Sequence, residues 1–432
     1  MLPYIKIAET LDTVSKGASK VEKVDAVAEL LKNHQLEMLR PMTRLLQGTL
    51  WPSWEMREMG VGPKVLQDVL ENLYGQNLEI VGQGVGADNL TKTLRKPPLQ
   101  HQLSPSKLDA LQVYHTFRQI SDQRGARSLH RKKALLKSLL LKASPLEAEY
   151  IAKTALGKMM AGLGPSLMIS AISEAFEVDE NLVRNAYARI PELGLVALVA
   201  ARDEISEVKI APPTPVIPMV LTSKSAIEDV TMRVPNVAYV VKYGGLRIQV
   251  HKVNDRTFFY TSHLKNITKA LQDLAEEIAM LAGNLVVEGE LLLVQEGELL
   301  SFRELVGYIN RKQSRMKGDR IQPSLAITDV LYQDGKETLH LGYAERRTIL
   351  SRLLKDAPRD VFQGGLSLAE ETIQGYPGRC DELYCQSLAK GFQGLLMRDL
   401  EAPYTPGAQS HRDVVIRKES ENFQKLGGNG ET

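Results

Sequence analysis

The sequence predicts an all-α N-terminal domain followed by an α+β domain with antiparallel sheets. The spacing of apolar residues changes from three or four in the first half to two in the second, which is the change from helix to strand. The proline-rich segment APPTPVIP, which cannot continue a helix, lies where the spacing changes. With 432 residues, 43% hydrophobic and 25% charged, the chain has the composition of a globular protein of two or three domains.

Amphipathic stripes run through the first half of the chain. In SPSKLDALQVYHTFRQIS, apolar residues recur three apart from Leu108 to Phe117, and Ser104 followed by Pro105 is typical of a helix start. Similar stripes occur in EKVDAVAELLKNH and PLEAEYIAKTALGKMM, and alternating strand patterns are few. We therefore predict a helical domain over residues 1–208.

In the second half of the chain, apolar and polar residues alternate. In LRIQVHKV, the apolar residues Leu246 and Ile248 face one way and the polar residues Arg247 and Gln249 face the other. TFFYTS, GNLVVEGELLLVQ and FQGLLMRD are further predicted strands, and HLKNITKALQDLAEEIAML is a predicted helix between two of them. The expected organisation after the helical domain is a linker, an α+β domain and a frayed tail, at residues 209–217, 218–420 and 421–432.

Charge and local patterns exclude several classes of protein. The formal net charge is only +2, so a nucleic-acid surface would have to be a local basic face. Cys380 and Cys385 are too few for a four-ligand metal site, and we expect plain thiols in a reducing compartment. No apolar run approaches the roughly 20 residues of a membrane span, and the N-terminus lacks the pattern of a signal peptide. We expect a cytoplasmic protein that does not bind membranes.

Lys242 is the first candidate for chemistry. It lies in a predicted strand immediately before two glycines, which allow a tight turn and a close approach to a ligand. A deprotonated lysine there can attack a phosphoryl group, and Arg247 on the next strand can hold a phosphate or a ribose. The alternative is an ordinary solvated turn lysine.

Three further side chains suit a nucleotide site. Glu288 and Glu290 lie in the apolar strand VVEGELLLV, where a carboxylate is expensive to bury unless it is paired or binds a metal such as Mg²⁺. The alternative for them is an edge strand with outward carboxylates. Phe302, in LLSFREL, can stack on a nucleobase or belong to the core.

Basic residues in the first half predict contact with DNA phosphates. GARSLHRKKALLK opens a predicted helix, and MREMGVGPKVL places two glycines before a lysine at another helix start. The alternatives are a solvated face and a plain interhelical turn. The candidate DNA-binding residues are Lys64, Arg127, Arg131, Lys132 and Lys133.

Order and spacing of these segments make the chain resemble the archaeal and eukaryotic replicative ATP-dependent DNA ligases along nearly its whole length. WPSWEMREMGVGPKVL, YIAKTALGKMMAGLGPSLMISAISEAF and NAYARIPELGLVALVA are similar to the family's helical DNA-binding domain. KYGGLR, VVEGELLLV, SFREL, TDVLYQDGK, YAERRTIL and LLMRDLEAPYTPG follow in the order of its adenylation (nucleotidyltransferase) domain. The resemblance implies a clamp on nicked duplex DNA, with ATP and Mg²⁺ as cofactors and a lysyl-AMP formed at Lys242.

The same resemblance implies that the site is incomplete. The family's lysine, arginine, glutamate and aromatic residue are kept at Lys242, Arg247, Glu290 and Phe302, and Glu290 is the remaining candidate metal ligand. Arg417 stands at the second of two phosphate-binding lysines. Five positions have lost the family's polar or charged group, namely Val240, Gly244, Ser262, Gln393 and Val415. Because the chain ends soon after Arg417, the family's OB-fold domain is expected to be absent.

Two functions remain open from the sequence. The first is a protein that binds nicked duplex DNA but is catalytically degenerate and does not complete ligation, acting beside an active ligase paralogue. The alternative is an active, divergent ligase that forms lysyl-AMP and seals nicks, with an OB domain supplied in trans. A capping-type nucleotidyltransferase is a third reading, which the helical first half opposes. The segment 90–104 lacks paired aromatic residues, which argues against binding to a sliding clamp.

Overall fold

The chain divides between Val208 and Lys209 into two units. The computed structural model describes residues 2–74, 94, 107–159, 162–224, 236–310, 321–355, 360–373 and 379–417. The predicted tail at 421–432 and the segment around 90–104 therefore lie outside the described residues, apart from Leu94. The described helices of the first unit are α1 (Tyr4–Ser15), α2 (Lys20–Lys32), α3 (Leu36–Gln47), α4 (Pro63–Tyr74), α5 (Ala110–Asp122), α6 (Ser128–Lys142), α7 (Pro145–Ala155), α8 (Pro165–Phe176), α9 (Glu180–Arg189) and α10 (Leu193–Ala201).

Several of these helices begin at a residue whose side chain caps the first turn. Ser19 and Glu22 form a reciprocal capping box at α2, and Ser144 and Glu147 form one at α7. At α5 the start differs from the prediction, because Asp109 is the N-cap and its carboxylate accepts from the backbone N–H groups of the first turn. Ser104 and Pro105, the expected start, lie outside the described residues.

Helices α3 and α10 pack closely because Gly194 has no side chain. A Cβ built on Gly194 would lie 2.9 Å from the Cα of Arg40, which no real Cβ tolerates. We expect Gly194→Ala to lower the free energy of unfolding of the first unit by about 1–3 kcal/mol through overpacking. Urea unfolding followed by tryptophan fluorescence measures this, since Trp51 and Trp54 are the chain's two tryptophans and both belong to this unit.

Gly164 provides the matched control for this substitution. It precedes α8 with a φ of −70°, and a Cβ added there would meet nothing within 4 Å. Gly164→Ala should therefore leave the urea midpoint nearly unchanged. Equal effects of the two substitutions would mean that the contact between α3 and α10 is looser than described.

The proline-rich segment differs from the predicted free linker at 209–217. The structure places it in the second unit, where Ile210 and Val216 are 4% and 0% exposed. The backbone N–H of Val216 donates to Oε1 of Gln249 at 3.0 Å, and Nε2 of Gln249 donates to the carbonyl of Val216 at 2.7 Å. The spacing of the prolines correctly indicated where the helical unit ends. The segment itself is fixed to the second unit by the buried side chains of Ile210 and Val216 and by the two hydrogen bonds with Gln249.

The second unit contains two sheets and four described helices. One sheet has the strand order β1-β12-β11-β2-β10, and the other β4-β3-β5-β7-β8 with β6 beside β5 and β9 beside β7. The strands are β1 (Val220–Lys224), β2 (Val237–Lys242), β3 (Leu246–Val253), β4 (Arg256–Thr261), β5 (Leu285–Gln295), β6 (Glu298–Leu299), β7 (Ile321–Gln333), β8 (Lys336–Glu337), β9 (Gly365–Leu368), β10 (Glu371–Ile373), β11 (Gly394–Asp399) and β12 (Gln409–Arg417). The helices are α11 (Gln272–Ala279), α12 (Phe302–Asn310), α13 (Tyr343–Leu353) and α14 (Arg379–Ala389).

Most described strand pairs are antiparallel, as predicted, but two pairs are parallel. β1 pairs with β12 in parallel, and β7 pairs with β9 in parallel, so both sheets are mixed. A period of two identifies a strand but carries no information about its neighbour's direction. The first unit is helical and the second is α+β, as predicted. No helix among the described residues is long and apolar enough to span a membrane.

Candidate active site

Lys242 is the last residue of β2, and the turn 243–245 leads directly into β3. Gly244 has a φ of +94°, a conformation that side chains rarely adopt. A Cβ on Gly245 would lie 2.4 Å from the carbonyl oxygen of Leu291. The backbone therefore requires glycine at both positions, and the turn packs directly against β5 at Leu291.

Glu290 fixes this turn. Its Oε1 accepts from Nζ of Lys242 at 2.8 Å, and its Oε2 accepts from the backbone N–H groups of Gly244 and Gly245, each at 3.0 Å. The carboxylate is buried, with its side chain 9% exposed, while that of Lys242 is 19% exposed. β5 is flanked by β3 and β7, so the edge-strand alternative for Glu288 and Glu290 is wrong. Lys242 is an ion-paired site residue rather than a solvated turn residue.

Arg247 is held by three acceptors. Its guanidinium donates to Glu288 at 2.7 Å, to the carbonyl of Met219 at 2.7 Å and to the hydroxyl of Tyr404 at 3.3 Å. Burial alone would lower the pKa of Arg247, but the Glu288 carboxylate outweighs it and the pKa lies above its ordinary value. Glu288 therefore orients Arg247, and the two glutamates of β5 have different partners.

Sequence reasoning missed two residues of this network. The Tyr404 hydroxyl donates to Glu288 at 2.8 Å, and Nε2 of Gln249 donates to the same carboxylate oxygen at 3.1 Å. Burial raises the pKa of Tyr404 well above its usual range, with Glu288 adding to the effect. For Gln249 the signal was available, because it shares a strand face with Arg247. Tyr404 lies 157 residues from Arg247, and nothing local in the sequence predicts their meeting.

Lys242 and Arg417 lie on one face of the smaller sheet. Gly394 of β11 stands directly opposite both residues, and directly opposed residues of antiparallel strands point to the same side. Two strand spacings separate them, which is about 10 Å. Arg417 is exposed and Lys242 half-buried. The structure therefore brings the predicted lysine and the second phosphate position together across Gly394.

The next row on this face is apolar. Val240, Leu396 and Val415 stand opposite one another, two residues along from the row of Lys242. Val240 is 1% exposed and packs in the core between the two sheets. Both positions where the resemblance placed a polar or charged group therefore present only methyl groups to the space beside Lys242.

Gln393, Ser262 and Phe302 complete the predicted set. The backbone N–H of Gln393 donates to the carbonyl of Lys242 at 2.9 Å, and the Cδ of Gln393 lies 3.9 Å from where a Cβ of Gly244 would be, so its carboxamide is beside the glycine turn. Ser262 follows β4, and its Oγ lies 3.4 Å from Nδ1 of the adjacent His263. Phe302 is the first residue of α12 and is 37% exposed, so it is not a core residue.

A resident Mg²⁺ does not fit the protein groups around Lys242. Among the described residues, no group of three or more His, Cys, Asp or Glu side chains could hold a metal ion. Both oxygens of Glu290 are already hydrogen-bonded, and Gln393 offers a neutral amide. Magnesium prefers charged oxygen ligands. The geometry therefore does not support the predicted metal role of Glu290.

The basic residues of the first unit separate into internal and outward groups. Lys132 corrects the prediction, because it is 7% exposed and its Nζ donates to the carbonyl of Met59 at 2.8 Å. Burial, aided by Arg124, lowers the pKa of Lys132. It supports the turn before α4 and does not face solvent.

The remaining four basic residues lie at the surface to different degrees. Lys64 and Lys133 both pair with Asp68, at 3.2 and 2.6 Å. Arg131 donates to Gln123 and to the carbonyls of Arg124 and Ala126, so it closes the loop before α6. Arg127 is exposed at the N-cap of α6.

Known proteins match both units. The family model described as DNA ligase N terminus matches residues 3–173, and the model described as ATP dependent DNA ligase domain matches residues 218–414. A DNA ligase of Methanothermobacter thermautotrophicus is 30% identical over 440 residues, covering 98% of this chain and 77% of that protein. A DNA ligase of Thermococcus fumicolans is 29% identical, again covering 98% of this chain and 77% of that protein.

A solved structure shows the same fold at much lower identity. Pmar-Lig_Pre has a TM-score of 0.52 at 10% identity, covering 95% of this chain and 77% of that one. The two family models match the helical unit and the two-sheet unit, in that order along the chain. The chain belongs to the ATP-dependent DNA ligase family.

Proposed function

We propose that this protein binds nicked duplex DNA through its helical unit and does not complete nick sealing. The observation that supports this is the composition of the face around Lys242. The positions beside it are occupied by Val240, Val415 and the amide of Gln393, none of which carries charge. Transfer of a nucleotidyl group depends almost entirely on positioning and on stabilising the charge that develops on the phosphate.

The residues that remain suit binding better than turnover. Lys242 must lose its proton before its amine can attack the α-phosphate of ATP, and its Nζ is paired with Glu290. Arg417 shares the row of Lys242 across Gly394, at a distance of about two strand spacings. Each missing charge-stabilising group lowers the rate of such a step by roughly 10² to 10³. The losses are not additive, but their combined effect should leave very slow transfer.

A second candidate function is formation of lysyl-AMP without sealing. One observation favours it. Lys242 pairs with Glu290, and Arg247 stands opposite Glu290 in the pairing of β3 with β5 and pairs with Glu288, so the three residues still lie side by side. In that reading the Lys242 amine would attack the α-phosphate of ATP, pyrophosphate would leave, and the reaction would stop at lysyl-AMP. Labelling of the protein itself separates this reading from the first.

The deciding experiment measures labelling and binding on the same preparation. The full chain is incubated with α-labelled ATP and Mg²⁺, beside a Lys242→Ala variant, and nicked duplex binding is measured at several salt concentrations. We expect no label above the variant and salt-dependent DNA binding. Label that Lys242→Ala removes would support the second candidate, and absence of duplex binding would overturn the proposal.

The DNA face is tested at Arg127. Replacing one phosphate-contacting cation should weaken binding equally across sequences and lower the salt slope by about 0.9. We expect this for Arg127→Ala. Arg184→Ala is the matched control, because Arg184 is also exposed but lies on α9 and pairs with Glu180. If both variants lose the same affinity, the N-terminus of α6 is not the contact.

A further inference from the structure

A groove on the first unit lies outside every residue assigned so far. It is an open, shallow concavity of about 830 Å³ formed by residues of α3, of α5 and at the end of α10. The side chains that define it are Leu36, Arg40, Pro41, Tyr114, Arg118 and Arg202.

Three arginines converge on this groove from three helices. Arg40 donates through Nε and Nη2 to the buried carboxylate of Glu192, at 2.6 and 2.9 Å. Arg118 is exposed, lies over the ring of Tyr114 with 5.8 Å between its Cζ and the ring centroid, and donates through Nη1 to the Tyr114 hydroxyl at 3.4 Å. The side chain of Arg202 is 48% exposed, and its Nη1 lies 4.0 Å from a carboxylate oxygen of the equally exposed Glu204. Two of the guanidiniums are thus oriented in advance, which lowers the entropy lost on binding.

Apolar surface adjoins these cations. Leu36 is 41% exposed at the rim, while Pro41 and Tyr114 lie in the wall. Arginine and tyrosine are enriched at the centres of protein–protein interfaces, and Leu36 adds exposed apolar surface beside them. A ligand that matches this groove carries negative charge and an apolar side chain close together.

A duplex DNA backbone matches the groove less well. Glu37 also lines the groove, and the carboxylate of Glu192 neutralises part of the charge of Arg40. A track of phosphates needs several uncompensated cations and gains nothing from Leu36 or Pro41. A peptide carboxylate can form a bidentate pair with a guanidinium, and its apolar neighbour can cover the wall.

We propose that this groove, bounded by Arg40, Arg118 and Arg202, binds a segment of a partner protein in which an acidic residue lies next to a large apolar one. The segment would place its carboxylate between the guanidiniums of Arg118 and Arg202 and its apolar side chain against Leu36. The residues that line the groove include neither Lys242 nor Arg127.

The probe for this site is a random 12-residue peptide library displayed on phage, panned on the full chain. Enriched peptides should pair Asp or Glu with Leu, Ile or Phe. Each is then synthesised, and its affinity is measured for the unmodified protein and for Arg118→Glu/Arg202→Glu. We expect the double variant to bind at least about 10-fold more weakly, since two close charge pairs become repulsive.

Two controls keep the test decisive. Arg184→Glu reverses a charge on α9, away from the groove, and should leave peptide affinity unchanged. Arg118→Ala/Arg202→Ala removes the charges without introducing repulsion and should lose affinity in the same direction. The proposal is overturned if no enriched peptide depends on these arginines. It is equally overturned if the double variants weaken binding to a 20-base-pair duplex and to no peptide, which would make the groove a DNA site.

Discussion

Arg346→Ala is expected to lower the free energy of unfolding of the second unit by about 3–5 kcal/mol, the range for breaking a buried ion pair by removing one partner. Arg346 is 0% exposed, and its Nε and Nη2 donate to Asp329 at 2.8 and 3.1 Å. Its Nη1 also donates to the carbonyls of Leu341 and Ala402. Removing it leaves a 1%-exposed carboxylate with one cation and two carbonyls without a donor.

Urea unfolding followed by far-UV circular dichroism measures this loss. Tryptophan fluorescence reports the first unit alone, because both tryptophans belong to it, and its transition should stay in place. Arg352→Ala is the matched control, since Arg352 lies on the same helix α13 but is exposed. A loss below about 1 kcal/mol for Arg346→Ala would show that water reaches the pair, as at exposed ion pairs.

Acid should weaken the same network. Burial alone would raise the pKa of Asp329, but Arg346 and then Arg398 outweigh it, and the pKa lies below its ordinary value. A carboxylate with a lowered pKa stabilises the folded state above its unfolded pKa, and that contribution is lost as the pH falls through the lowered value. The pairing of Asp329 therefore contributes its full stabilisation at neutral pH and progressively less in acid.

The periodicity of apolar residues predicted the helical unit and the α+β unit, but it did not predict which side chains of different strands meet within the second unit. Lys242 and Glu290 were each identified from their place in a strand, and their pairing follows from β5 lying beside β3. Arg398 and Asp329 are 69 residues apart, and no local pattern links them. Register between β2, β11 and β12 likewise decides that Arg417 shares a face with Lys242, and a sequence of alternating residues does not determine register by itself.

For Lys132, helical periodicity predicted burial, but the run of basic residues around it was given more weight. Buried residues of α6 include Lys132, Leu136, Leu139 and Leu140, which recur at spacings of three and four along one helix face. Helical periodicity would therefore have placed Lys132 on the core side of the run of basic residues. Its basic neighbours suggested a common surface instead. Period is the better guide within a helix, because a lysine can bury its stem and still place its amine on a carbonyl.

Gly244 limits how the site can be restored. The resemblance places an aspartate there, but the backbone has a φ of +94° and an added Cβ would lie 3.4 Å from Cβ of Gln393. A side chain held in such a region costs on the order of 1–3 kcal/mol. Restoration is therefore better attempted at Gln393 and Val415, which lie in extended strands or beside them.

Gln393→Glu combined with Val415→Lys is expected to raise Lys242-dependent labelling by α-labelled ATP by at least about 10²-fold. One preorganised charge-stabilising group is worth roughly 10² to 10³ in the rate of such a step. Val415 lies on the face of β12 that carries Arg417, so a lysine there would add a second cation, and a glutamate at 393 would supply the carboxylate that a metal-bound nucleotide prefers. The label should disappear when Lys242→Ala is added.

The matched control is Gln386→Glu with Val220→Lys, which makes the same two charge changes at exposed positions on α14 and β1. Its labelling should equal that of the unmodified protein. Circular dichroism checks that the half-buried Val415 tolerates a lysine, and Gln393→Glu alone provides a variant without that risk. If a folded double variant labels no faster than the control, then missing charge is not what limits transfer. The ion pair that holds the Lys242 amine on Glu290 would then be the limiting feature.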